Sequence, residues 1–209
     1  GLQHDHIIKV IDTADKQKVC QDGTVSYASY IMMEYAPYPD LATLGKYIQF
    51  GKDEKMVRTL FTHIILGLEY MHSKGIAHLD VKAENIVLGG DFNLKLIDFD
   101  FALKIGEGES VGKGTPNYRG PEVRAGETPN PQGADVYSAA IVLFVIKTGI
   151  IPYLEDRKIE GVNLQEALWD EPSKFWDTHK AMDPKNFKIS SGFRAIFEGM
   201  TKKNPNDRM

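Results

Sequence analysis

The chain has 209 residues, 42% hydrophobic and 26% charged, which is the balance of an ordinary soluble globular protein with room for one sizeable core or two small lobes sharing one. A net charge of -4 and a pI near 5.9 give no electrostatic basis for nucleic acid as a partner. The longest clean apolar run, 139–146, falls far short of the roughly 20 residues that cross a bilayer, so no membrane partner is expected; lone Cys20 excludes an internal disulfide and suits a reducing, intracellular and cytoplasmic setting.

Two β-branched runs open the chain: Ile7-Ile8-Lys9-Val10-Ile11, and residues 27–35 with Ile31-Met32-Met33. Asp22-Gly23 between them predicts a hairpin turn. Ala36-Pro37-Tyr38-Pro39-Asp40 then breaks the strand, because proline supports neither further pairing nor helix, and marks a hinge. Leu41, Leu44 and Ile48 predict a short helix capped by Asp40. Val57, Leu60, Phe61, Ile64, Ile65, Leu68 and Met71 recur at steps of three and four, the apolar stripe of a long helix that Gly75 closes. Ile86-Val87-Leu88 and Leu94-Lys95-Leu96-Ile97, joined through Gly89-Gly90-Asp91, predict a second, smaller hairpin. Residues 105–114 are glycine-rich and charged, as a mobile loop would be. A helix over about 135–148 is apolar nearly all round and therefore buried. Phe193, Ile196, Phe197 and Met200 form a last helical face, with Ser190 or Ser191 as its cap. There is no internal repeat. The pattern predicts an α+β protein: a small strand portion over 1–35, then a mostly helical portion over 36–209.

The chemistry concentrates in two motifs. His78-Leu79-Asp80-Val81-Lys82-Ala83-Glu84-Asn85 offers a carboxylate, an ammonium and an amide at close spacing. Asp98-Phe99-Asp100 adds another carboxylate after an apolar run. Each residue alone has a plainer reading: Asp80 as a turn or solvated carboxylate, Asn85 as a turn residue, Asp135 as a helix cap, Glu122 and Arg208 as surface charges. His78 reads as a packed core histidine rather than a general base, and Met32 and Met33 as core and pocket wall. The histidines show no metal spacing of the His-Glu-x-x-His kind.

Taken together and in order, these segments resemble the eukaryotic protein kinase family, serine/threonine type, over nearly the whole chain. Leu2-Gln3-His4-Asp5-His6-Ile7-Ile8 resembles the loop entering the fourth kinase strand. Met32-Met33-Glu34-Tyr35-Ala36 resembles the fifth strand and hinge. Gly114-Thr115-Pro116-Asn117-Tyr118-Arg119-Gly120-Pro121-Glu122 resembles the substrate-docking segment, and Asp135-Val136-Tyr137-Ser138 the start of the buried central helix. The resemblance implies transfer of the γ-phosphoryl of ATP to a protein hydroxyl, with Mg²⁺. Phosphoryl transfer needs a positioned hydroxyl, neutralised phosphate charge and metal ions held by hard oxygens. Asp80 would orient the acceptor hydroxyl or take its proton, and Lys82 would reach the transferred group. Asn85 and Asp98 would ligate Mg²⁺. Met33 as gatekeeper, backbone groups of Glu34 and Ala36, and Val87 beneath the ring would hold adenine. Thr115 would dock substrate, and Arg208 would pair with Glu122. Lys82 with Thr115 is typical of serine/threonine kinases. Leu79 is a variant familiar among calcium/calmodulin-dependent-type kinases, and Phe175-Trp176 with His179 resembles related kinases of protists.

Three departures qualify the resemblance. No glycine-rich phosphate loop, third-strand lysine or partner glutamate precedes His4; residues 1–6 carry no basic signal start, no initiator Met is present, and the chain stops at Met209 before the last expected helix. The expectation is therefore two strands of an N-terminal lobe and an incomplete C-terminal lobe of a kinase, inactive alone. The alternatives are a pseudokinase or truncated lobe that binds partners, and an unrelated helical scaffold. Second, Leu79 replaces an arginine that binds an activation-loop phosphate, while the usual phosphosite falls near Val111, which cannot be phosphorylated. Loop phosphorylation is thus not expected to control the enzyme, with Ser110 as the neighbouring alternative. Third, Asp100 stands where glycine is usual; it restricts the backbone and adds a negative charge that would either bind a cation more strongly or repel phosphate.

Overall fold

A computed structural model describes residues 1–106, 114–127, 129–155, 157–159 and 161–209. The chain opens with an antiparallel ribbon, β1 (Val10–Gln21) and β2 (Thr24–Met33), paired from Val10↔Met33 to Gln21↔Thr24. Asp22 and Gly23 join the strands with φ of 51° and 76°, the two positive values that a type I′ turn demands. Every residue of β2 is exposed, and the two strands contact chiefly each other.

The ribbon corrects the sequence reading twice. β1 starts at Val10, because Ile7 and Ile8 turn into the body: Ile8 N–H donates to the Leu96 carbonyl at 3.0 Å, and both side chains are buried. β1 then runs on through the charged residues 12–18, since a ribbon wet on both faces needs no apolar alternation. Met32, expected in the core, is 50% exposed and lies outside it; Met33, expected as pocket wall, is 48% exposed.

Residues 34–39 carry no regular structure, as the prolines require. α1 (Leu41–Gly45) follows, with the Asp40 carboxylate accepting from Thr43 N–H at 2.8 Å; Ile48 lies beyond its last turn and is exposed. After a short 3₁₀ turn at Phe50–Lys52 comes α2 (Glu54–Ser73), capped by Asp53 and burying Val57, Ile64, Leu68 and Met71. Gly75 leaves it at φ 69°. The loop of residues 78–85 is then framed by short strands. β3 (Ile76–Ala77) pairs antiparallel with β6 (Leu103–Lys104), and β4 (Ile86–Leu88) with β5 (Leu94–Leu96).

α3 (Pro121–Arg124) precedes α4 (Pro131–Thr148), whose residues are buried on nearly every face. α4 starts earlier than the apolar run suggested: Asn130 caps it through Gly133 N–H at 2.9 Å, and Pro131 sits at the first position, where a missing N–H costs nothing. Asp135 is therefore inside the helix and not its cap. α5 (Leu164–Asp170), α6 (Pro172–Met182) and α7 (Ser191–Met200) pack around α4, with Phe144 in ring contact with Phe175, Trp176, His179 and Phe197. Ser190, not Ser191, caps α7. At the other end of α4 the backbone of Gly51 comes so close that any Cβ there would overlap the Lys147 carbonyl. The result is an α+β fold in which one helical body supports the loop of residues 78–85 from below.

Candidate active site

The loop rests on Asp135. This carboxylate, fully buried on α4, accepts from His78 N–H at 2.8 Å and Leu79 N–H at 2.7 Å, and lies 2.9 Å from His72 Nε2 on α2. Those bonds hold Leu79 at φ 62°, a left-handed conformation that a side chain of this size rarely adopts. His78 is fully buried; its Nδ1 accepts from Asp80 N–H and its Nε2 lies 3.0 Å from the Ile97 carbonyl, so the ring is a two-sided strut. The sequence reading of His78 as a packed histidine holds.

On this support Asp80, Lys82, Asn85 and Thr115 come together. Asp80 Oδ2 accepts from Lys82 Nζ at 2.7 Å and from Asn85 Nδ2 at 3.0 Å. Asp80 Oδ1 accepts from the Thr115 hydroxyl at 2.7 Å and its N–H at 2.9 Å. Lys82 Nζ closes the ring by donating to Thr115 Oγ1 at 2.9 Å. Burial pushes the Asp80 carboxyl up, but the hydrogen bonds from Lys82 and Thr115 outweigh it and hold the group below the usual carboxylate range. With four donors the carboxylate is saturated.

Asp98 stands apart from this ring. It lies one residue beyond Ile97, whose N–H donates to the Asn85 carbonyl at 3.0 Å, so the backbones run side by side. Asp98 is exposed at φ 63°, with Asp100 N–H at 3.5 Å from its Oδ1. Asn85 spends its amide nitrogen on Asp80, so what it has for a cation is its oxygen. Among the described residues no group of three or more His, Cys, Asp or Glu is arranged to hold a metal. A carboxylate and an amide oxygen are hard donors of the kind that Mg²⁺ takes alongside phosphate and water.

The residues expected around adenine lie on β2, in the connection that follows it and on β4. Val87 on β4 bridges Asp40, which brings the end of the hinge against that strand. Glu34 N–H is engaged by the Lys9 carbonyl at 2.9 Å, so its carbonyl is what it has to offer a ring. The Glu34 carboxylate meets Lys95 Nζ at 3.2 Å. Ala36 is half-buried, and Met33 is 48% exposed.

The segment of residues 114–122 is pinned at successive points. Ser138 Oγ donates to the Tyr118 carbonyl at 3.0 Å. Burial and the neighbouring Glu84 carboxylate keep the Tyr118 phenol un-ionised. Glu122 pairs with Arg208 through two 2.6 Å bonds in a buried fork, so these are not surface charges. The roles of His72 and Glu155 escaped sequence reasoning, because each acts on residues dozens of positions away and belongs to no local pattern. Leu79, where the resemblance has arginine, packs with Ala77, Val123 and Ala134, and Leu103 adjoins them. Val111 and Ser110 lie outside the described residues, as does most of the 105–114 loop.

Among the described residues no helix is long and apolar enough to cross a membrane. A sequence model of the protein kinase domain matches residues 1–209. Maternal embryonic leucine zipper kinase of Danio rerio is 33% identical over 203 residues, covering 88% of this chain and 28% of that protein. CBL-interacting serine/threonine-protein kinase 8 of Arabidopsis thaliana is 36% identical over 151 residues, covering 70% and 34%. SNF1-related protein kinase catalytic subunit alpha KIN12, also from Arabidopsis thaliana, is 32% identical over 201 residues, covering 92% and 37%. The chain thus spans about a third of the length of these curated relatives. With the site motifs in order along the whole matched length, the chain belongs to the protein kinase domain family.

Proposed function

We propose that this chain carries the acceptor side of a serine/threonine protein kinase active site, for transfer of the γ-phosphoryl of ATP to a hydroxyl of a protein substrate inside the cell. The observation that carries the reading is the closed ring of Asp80, Lys82, Asn85 and Thr115 on a buried support. Because Asp80 is saturated, an entering hydroxyl must take the place of an existing donor. The Thr115 hydroxyl is the group that yields, while its N–H keeps the segment on Asp80 Oδ1. Asp80 then orients the acceptor oxygen. It receives the proton of that oxygen as the O–P bond forms and the bond to the leaving ADP breaks. Lys82 lies beside both Asp80 and Thr115 and would neutralise the moving phosphoryl charge. Mg²⁺, held by Asn85 and Asp98, would supply charge neutralisation to the phosphates. Met33, the backbone of Glu34 and Ala36, and Val87 would form the adenine edge.

We divide the chain at residue 35, with the ribbon as part of an N-terminal lobe and 36–209 as C-terminal lobe. A second reading, a lobe that binds partners without turnover, is favoured for the isolated chain by the open adenine edge, where Met33 is half exposed. The test uses the full-length protein that contains this chain, with Mg·ATP and a generic basic peptide. Asp80→Ala and Asp98→Ala are each expected to cut turnover by about 100-fold or more. Undiminished turnover would refute the site. The isolated chain is expected to show negligible turnover and little thermal stabilisation by Mg·ATP; a large shift would defeat the second reading.

A further inference from the structure

We propose that Glu155 is a positioning residue of the acceptor site, locking the docking segment so that Thr115 stays on Asp80; the inference rests on the reading of that ring as the acceptor site. Glu155 lies in the connection between α4 and α5, outside every motif. Its side chain is only 7% exposed, and its carboxylate is spent entirely on the docking segment. Oε1 accepts from Asn117 N–H at 3.1 Å and from Arg119 Nε at 3.2 Å, and Oε2 from the Arg119 guanidinium at 3.0 Å. The bond is returned: Glu155 N–H donates to Asn117 Oδ1 at 2.7 Å.

The position of this clamp gives it a role. Asn117 sits at φ 70°, a left-handed conformation that asparagine adopts more readily than most residues, here with its side chain bonded to Glu155 N–H. It lies between two anchors, Thr115 on Asp80 and Tyr118 on Ser138. The backbone between those anchors keeps its path because Asn117 is bonded from both its N–H and its side chain to one residue. Without Glu155, Asn117 relaxes toward ordinary dihedrals, and Thr115 two residues earlier is drawn off the carboxylate. The pair also resists replacement on the carboxylate side, since Glu155 without these donors would be a poorly solvated charge. Glu155 touches no reacting group and acts through Asn117 and Thr115.

The experiment has two arms. On this chain, amide hydrogen exchange of residues 115–119 is compared for wild type, Glu155→Ala and Glu155→Asp. Glu155→Ala is expected to speed exchange in this segment by about tenfold or more while α2 is unaffected, and Glu155→Asp to recover part of the protection. In the full-length protein, Glu155→Ala is expected to raise KM for the peptide by about tenfold while KM for ATP stays within about twofold. Should Glu155→Ala fail to fold, Arg119→Ala removes two of the three donors and must shift both readouts the same way. Unchanged exchange over 115–119, or peptide and ATP constants moving together, would overturn the proposal. Wild-type protein with no phosphotransfer at all would instead overturn the acceptor-site reading, and the exchange arm would still report on the clamp.

Discussion

The loop of residues 78–85 and the ribbon of β1 and β2 use similar side chains to opposite ends. In the loop, the central carboxylates are buried and partnered: Asp80 is 4% exposed and takes four hydrogen bonds, and Asp135 beneath it is fully buried and fastens two backbone amides. In the ribbon the same residue type bonds in full contact with water, as when Tyr30 OH donates to Asp12. β2 even leaves Tyr27 at 71% and Ile31 at 64% exposure. The difference teaches that a polar residue in this molecule matters in proportion to the water it has lost. A partner lost in the loop strands a desolvated group, whereas one lost in the ribbon is replaced by solvent.

Five substitutions and a titration sharpen that contrast. Asp135→Ala should have the largest effect, about 3–5 kcal/mol, because it orphans the His78 and Leu79 amides together; a denaturant midpoint shift worth under about 1 kcal/mol would break the comparison. Leu79→Ala should cost about 2–4 kcal/mol by opening the small cluster with Val123 and Ala134, measured in the same way. The titration concerns a seam of stacked rings, His6 on His63 at 4.3 Å between ring centres. Burial lowers the pKa of both, His6 facing His4, Asp5 and Lys95 as well, and His63 facing Asp91. The unfolded chain therefore binds more protons below the ordinary histidine value of about 6.5, so stability rises with pH through that window and is lost as pH falls from it. The thermal midpoint should drop between pH 7 and 5, and His63→Gln should flatten the drop; an identical slope in the variant would remove the seam from the account. Asp80, also held low, adds its own loss only below the usual aspartate range, a lower window. Ile31→Ser and Tyr27→Ser in the ribbon should each stay within about 0.5 kcal/mol of wild type.

How much of this was legible in the sequence follows the same division. Local rules carried the Asp22-Gly23 turn, the Asp40 cap, the stripe of α2 and the small hairpin of β4 and β5, since each depends on neighbours a few positions away. Motif order carried the ring of Asp80, Lys82, Asn85 and Thr115 and the Glu122–Arg208 fork. What stayed hidden was set at long range or by an absence of pattern. Nothing near Asp135 says that it serves His78 and Leu79, and its best local reading was a cap. The strand over residues 12–18 left no alternation to read, being wet on both faces. The Asn130-Pro131 start of α4 was written in the sequence, but the apolar run further on outweighed it. α5 and α6, with short and mixed faces, left too little period to detect.

Leu79 carries one more consequence. An arginine gripping a phosphate is an ionic tie, which added salt screens and cooling leaves intact. The seam that Leu79 makes with Ala77, Val123, Ala134 and Leu103 is hydrocarbon, joining the loop to the elements on either side of the docking segment. Its strength derives from the expulsion of apolar surface by water, which fades on cooling and grows with sulfate. This seam, unlike the charged contacts of Asp80 and Lys82 with Thr115, should therefore tolerate brine and loosen in the cold.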